Sequence, residues 1–238
     1  VENMQADVTM SFSGLKLFSQ GGALITNATD LANYSGPKPK KGDVVYLNYT
    51  FSVDPTIDYG IGSTFTFQLP ANMIEEYTAG SFNQSRTLTE TGDWLAYSSS
   101  YNSATKTVTV TIDSELEQGQ SGSMNFEFMA KFDNFADESE LEQSLIIPVL
   151  GGADVQLDFE FAPTGSGQLL TKNAGSITRD ASGEVTIPWT VWVNTGGQKL
   201  ESASLNDVPD TKHELAGNIT VERYKIGLSG FNPNSPGA

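Results

Sequence analysis

Residues Leu170 to Asp210 read LTKNAGSITRDASGEVTIPWTVWVNTGGQKLESASLNDVPD, and the architecture is read outward from them. The densest apolar run is Val185–Asn194. Alternation with a period of two places Ile187, Trp189, Val191 and Val193 on one face, and Pro188, Thr190 and Trp192 on the other. One tryptophan on each face of a single strand is unusual. One ring can fill a core, and the other needs a second cover or a ligand. A short apolar strand ending at Lys172 precedes this run. A third stretch, Ala203 to Asp207, follows it and ends in a carboxylate before a turn.

Upstream, Gly42 to Asp54 predicts a long half-buried strand, with Val45, Leu47, Tyr49, Phe51 and Val53 on one face. Phe65, Phe67 and Leu69 share a face in the next strand. Val108, Val110 and Ile112 alternate with threonines over Thr107–Asp113, and Met124, Phe126, Phe128 and Ala130 alternate over Ser123–Phe132. Met4–Phe18 reads as a strand pair around Gly14, and Asn27–Lys41 as a polar loop. Met73–Tyr77 reads as one helical turn. Gly80–Glu90, Trp94–Tyr101, Leu145–Leu150 and Val155–Phe161 complete the series. Nine or ten short strands without a long amphipathic helix predict an all-β chain of Greek-key β-sandwiches. Ala162-Pro-Thr-Gly-Ser-Gly167 is small and flexible enough to be a linker. The expected division is 1–163 for a first domain, 164–167 for the linker and 168–238 for a second.

The 238 residues suffice for one large or two ordinary domains, and 38% hydrophobic with 18% charged residues belongs to a folded chain. A net charge of −16 argues against a nucleic-acid partner, which needs a basic face, and against an anionic membrane surface. No run is long enough to insert into a membrane. With no cysteine there is neither a disulfide nor a thiolate metal site. Lys38, Lys40 and Lys41 form the one basic cluster and read as a solvated turn. Asp133, Asn134, Asp137, Glu138 and Glu140 lack the spacing of a calcium loop. A single histidine, His213, and no G-x-S-x-G, H-E-x-x-H or phosphate-cradling glycine loop argue against conventional catalysis. No cofactor and no metal are expected.

The ordered triplet Leu169-Leu-Thr-Lys172, Trp189-Thr-Val-Trp-Val-Asn194 and Ala203-Ser-Leu-Asn-Asp207 resembles the second ligand-binding domain of the collagen-adhesin family of Gram-positive surface proteins. Gly42-Asp43 and Gly62-Ser-Thr-Phe-Thr-Phe-Gln-Leu-Pro70 are similar to the family's first domain, with Ser63 where the family often has Asp. The resemblance implies two tandem Ig-like sandwiches, residues 168–238 being only part of the second. It implies a ligand trench along the tryptophan strand, which by match carries Thr171, Thr190 and Trp192. It implies further that Lys172 and a late Asn condense into an isopeptide bond while Asp207 shuttles the proton. Burial would favour the neutral amine and the protonated carboxyl that this chemistry needs. Asn218, Asn232 and Asn234 are the downstream asparagines.

The function so implied is that of a cell-surface adhesin, extracellular and held on the cell wall by sequence outside this chain. It would clamp a host or matrix polymer, collagen or another matrix protein, between two domains. Two other roles remain open: a structural stalk without a ligand, and a carbohydrate-binding module using Trp94, Tyr97, Tyr101 and Trp192.

Overall fold

The computed structural model describes residues 2–53, 58–75, 83–88, 97–113, 115, 122–198 and 200–234. The chain divides into two units. Unit 1 is Val1–Asp137 with Glu142–Ala162, and unit 2 is Glu138–Leu141 with Pro163–Ala238. The fold is all-β and Ig-like, with a single short helical turn among the described residues.

Unit 1 is built on β1 (Val8–Leu17) and β2 (Val44–Val53). Around them lie β3 (Thr64–Gln68), β4 (Met73–Glu75), β5 (Asn83–Leu88), β6 (Tyr97–Asn102), β7 (Thr107–Ile112), β8 (Gly122–Phe132), β9 (Glu142–Ile147) and β10 (Val155–Glu160). One sheet has the order β1-β2-β8-β4, with β5 pairing an earlier stretch of β8 than β4 does. The others are β3-β7-β6 and β9-β10, and each of these strand ladders is antiparallel.

The alternation seen in the sequence is the cause of this layering. Val45, Leu47, Tyr49, Phe51 and Val53 of β2 are all buried, as are Phe126, Phe128, Ala130 and Phe132 of β8. Opposite them lie Phe65 and Phe67 of β3 and Val108, Val110 and Ile112 of β7, also buried. The faces meet ring to ring, with Phe51 5.2 Å from both Phe65 and Phe67 and Tyr49 5.4 Å from Phe67. Phe161 closes the β10 side, 5.0 Å from Phe132 and 5.1 Å from Phe135.

Three expectations are corrected by the structure. Met4–Phe18 holds one strand rather than two, because the register of β1 on β2 shifts between Phe12 and Gly14. This bulge lets a single strand bend. Gly14 has φ +127°, and a Cβ there would lie 2.7 Å from Leu24 Cδ1, so only glycine is accommodated. Asn27–Lys41 contains a helical turn, α1 (Ala28–Ala32), capped by the Asn27 side chain accepting from Asp30 N at 2.9 Å. At Met73 the expected helical turn is β4, because pairing with Phe132 and Lys131 of β8 satisfies the backbone and buries Met73; Glu76 and Tyr77 fall outside the described residues. In the lysine cluster, Lys38 pairs with Glu160, and Lys41 lies 3.8 Å from Asp133.

On the outward face of the main sheet Glu127 is itself buried, facing Lys16 at 3.5 Å and accepting from Gln20 Nε2 at 3.0 Å. At position 63 the Ser hydroxyl is fully buried. It donates to Gly60 O at 2.7 Å and accepts from Glu2 N, tying the N-terminal segment to the start of β3.

Candidate functional site

Unit 2 is organised on a long two-stranded ribbon. Its strands are β11 (Leu170–Ala174), β12 (Thr178–Arg179), β13 (Val185–Thr186) and β14 (Trp189–Val193), with β11 on β14 and β12 on β13. The expected continuous strand from Val185 to Asn194 is interrupted at Pro188, which has no N–H to give to a ladder. Its carbonyl instead accepts from Gly175 N at 2.7 Å. The tip is fixed by Asp180, whose carboxylate accepts from Ser182 Oγ, Ser182 N and Glu184 N at 2.7–2.9 Å. The Ser182 hydroxyl, followed by the backbone donor of Glu184, holds this carboxyl below its ordinary range.

Register sorts the site residues by face. Thr171 lies opposite Trp192 and Asn173 opposite Thr190, so Thr171, Thr190 and Trp192 share one face. Lys172 lies opposite Val191 and Ala174 opposite Trp189, on the other face. There the Lys172 amine sits 4.7 Å from the centre of the Trp189 ring and donates to both oxygens of Asp207 at 2.8 Å. Among the described residues the amine's hydrogen bonds go to Asp207 alone. The pair is open to solvent, the side chains 40% and 51% exposed, so it is worth well under about 1 kcal/mol as an ion pair. The buried setting expected for a condensing lysine is not what surrounds it. Nor does Asp207 end a strand, because Ala203–Asp207 has no ladder partner and runs as irregular chain.

Of the two tryptophans, the one that the resemblance places in the ligand trench, Trp192, is the covered one. Trp189 is 54% exposed beneath the lysine. Trp192 is half-buried, edge-on to Phe231 at 4.9 Å and to Tyr224 at 5.3 Å, and those two rings meet at 5.6 Å. Neighbouring Leu228 is fully buried. Its N–H donates to Glu138 O at 2.8 Å, and its carbonyl accepts from Thr164 N at 2.9 Å. Lys225 pairs with Glu140, and Ser229 Oγ donates to Glu138 at 2.9 Å. Two members of the acidic loop, Glu138 and Glu140, thus anchor the last segment. None of Tyr224, Leu228 and Phe231 stands out in the sequence as a site residue. The signal was three large apolar residues at the end of a polar stretch, with no periodicity to mark them.

Among the described residues the aromatic platform of the carbohydrate-module alternative does not assemble. Tyr97 is buried beside Phe126, Tyr101 packs on Phe128, Trp192 is covered as above, and Trp94 lies outside the described residues. Among the described residues no group of three or more acidic or histidine side chains is placed to hold a metal ion, and no helix is long and apolar enough to cross a membrane.

These elements define an all-β, Ig-like fold. Residues 38–136 match the family described as bacterial Ig domain, a stretch within unit 1. Among solved structures the chain is similar to the serine-rich repeat adhesion glycoprotein Srr1 of Streptococcus agalactiae, with 16% identity and a TM-score of 0.42 over 72% of this chain and 54% of that one. It is also similar to the serine-rich repeat protein Srr2 of the same organism, with 10% identity and a TM-score of 0.42 over 79% and 57%. The chain therefore spans a little over half the length of each. No curated protein matches it.

Proposed function

We propose that this chain is an adhesive region of a Gram-positive cell-surface protein, acting outside the cell on an extended polymer such as collagen or another matrix protein. The observation that carries the reading is the ribbon of unit 2. Its strands pair only with each other among the described residues, and Leu170, Ile177, Val185, Trp189 and Val193 are exposed along it. An unpaired strand edge beside apolar side chains is chemistry that an added strand of ligand can satisfy, backbone to backbone. The bacterial Ig match over residues 38–136 supports a surface module, as does the −16 charge that keeps such a chain soluble. In this reading the two units close around the ligand, and the exposed Thr190 with half-buried Thr171 lines its path.

Surface plasmon resonance of the purified chain over immobilised type I collagen, fibronectin and laminin tests it. Saturable binding to one of them is expected, weakened at least tenfold by Thr190→Arg. Lack of saturable binding to all three replaces the adhesin with a load-bearing spacer.

Lys172 and Asp207 enter the same proposal as two members of an intramolecular cross-link, with Asn218, Asn232 or Asn234 as the third. The lysine nitrogen would bond to the Asn side-chain carbonyl carbon, and ammonia would leave with the proton carried by Asp207. Intact-mass measurement is expected to give a value about 17 Da below the sequence mass, the loss of one ammonia. The full sequence mass would remove the cross-link and leave Lys172–Asp207 a surface ion pair.

A further inference from the structure

Where β1 passes to β2, unit 1 carries a cleft of about 390 Å³ lined by Leu24, Ile25, Asp30, Asn33, Tyr34 and Gly36 among others. This volume lies within the range of small-ligand sites, roughly 300–1,000 Å³. The strand-adhesion reading makes no use of it.

The walls are held before any ligand arrives. Ile25 exchanges two backbone hydrogen bonds with Leu15, of 2.8 and 2.9 Å, which fixes one side to the main sheet. The Asn27 cap fixes α1 on the other side. Between them the Asp30 carboxylate accepts from Thr26 N at 2.9 Å and from the Thr26 hydroxyl through the same oxygen, Oδ2. The Thr26 hydroxyl, then the Thr26 backbone, holds the Asp30 carboxyl below its ordinary range, so it is an ionised acceptor at neutral pH. Gly36 lies against the ring of Tyr34, and a Cβ there would fall 2.2 Å from Tyr34 Oη. With the ring where it stands there is no room for a side chain at position 36, and the hydroxyl reaches Pro37 O only at 3.4 Å. Preorganisation of this kind lowers the cost of binding.

The chemistry of the lining selects a ligand class. Asp30 keeps its Oδ1 oxygen for a second donor, and the exposed Asn33 amide offers both a donor and an acceptor. Adjacent hydroxyls of one ring satisfy that combination. The Tyr34 ring and the exposed Leu24 side chain provide an apolar wall for the C–H face of the same ring. Lys and Arg are absent from the lining, so an anionic ligand would meet the Asp30 carboxylate uncompensated.

We propose that this cleft is a binding site for a neutral hexose or N-acetylhexosamine unit. The sugar's vicinal hydroxyls bond to Asp30 and Asn33, and its apolar face packs on Tyr34 and Leu24. The site is separate from the ribbon of unit 2 and from the aromatic residues weighed in the sequence.

Two-dimensional amide NMR of the full chain, titrated with D-galactose, N-acetyl-D-glucosamine and lactose, tests the assignment. At least one sugar is expected to shift the Leu24, Asn33 and Gly36 amides in a saturable way at millimolar concentration. Asn33→Ala is expected to weaken that binding at least fivefold while leaving other amides in place. Gly36→Ala, which displaces the Tyr34 ring, should do the same. The site is overturned as a sugar site if none of the three shifts those amides. It is equally overturned if both variants bind as the parent does, or if propylammonium saturates the cleft while the sugars do not.

Discussion

Phe51→Ala is expected to lower the unfolding free energy of unit 1 by about 3–5 kcal/mol, the range for removing a buried phenylalanine ring. The size follows from position. Phe51 is fully buried on β2, which lies between β1 and β8, so the backbone around it has ladder neighbours on both sides and little freedom to collapse. Its ring touches both faces of the core. Phe65 and Phe67 of β3 stand 5.2 Å away, and Phe126 of β8 meets it edge-on at 6.0 Å. Truncation therefore forfeits the transfer energy of the ring and several ring-to-ring contacts, one of them edge-to-face, and it leaves a cavity between two sheets that no strand ladder joins among the described residues. Ser52→Ala, one residue on and pointing outward, is the control, with a change within about 0.5 kcal/mol. Urea unfolding followed by far-ultraviolet circular dichroism reads both. A shift below about 1 kcal/mol for Phe51→Ala would mean that the sheets do not share this core.

Strands of this kind were legible because burial writes itself into a period of two. Val45 through Val53 could face inward together in only one register, and the same holds for Phe65 with Phe67 and for Val108 through Ile112. Elements decided by a distant neighbour were not legible. Met73 has an ambiguous local pattern and becomes β4 only because the end of β8 offers it a ladder. The bulge at Gly14 depends on Leu24 closing over the strand, a contact that no spacing in β1 announces. Asn27 and Asp30 did carry a helix-start signal, a capping side chain with an acid three residues on, inside a segment whose prolines and lysines spoke for a loop. For the candidate site, alternation correctly put Trp189 and Trp192 on opposite faces. Which face would be covered was decided by Tyr224 and Phe231, far along the chain and in no periodic relation to either.

That cover makes Trp192→Ala the most informative change in unit 2. The ring is half-buried, so its loss is expected to cost about 2 kcal/mol, roughly half the figure for a fully buried aromatic side chain. Two edge-on contacts of about 0.5–1.5 kcal/mol each are part of that sum. The effect should be local, because Tyr224, Leu228 and Phe231 hold the last segment against Glu138 and Thr164 through few bonds. Hydrogen exchange is expected to speed up by an order of magnitude or more at the Leu228 and Thr164 amides, while the amides of β2 and β8 keep their protection. Trp192→Phe should restore most of it. Trp189→Ala should leave these amides alone, since the Trp189 ring is largely exposed on the opposite face, beneath Lys172. The comparison separates two roles that a binding assay alone would confuse. If Trp192→Ala weakens ligand binding and also frees the Leu228 amide, the residue acts by holding the final segment in place. If binding falls while that amide stays protected, Trp192 meets the ligand directly, and its contacts with Tyr224 and Phe231 are incidental to the segment's anchoring.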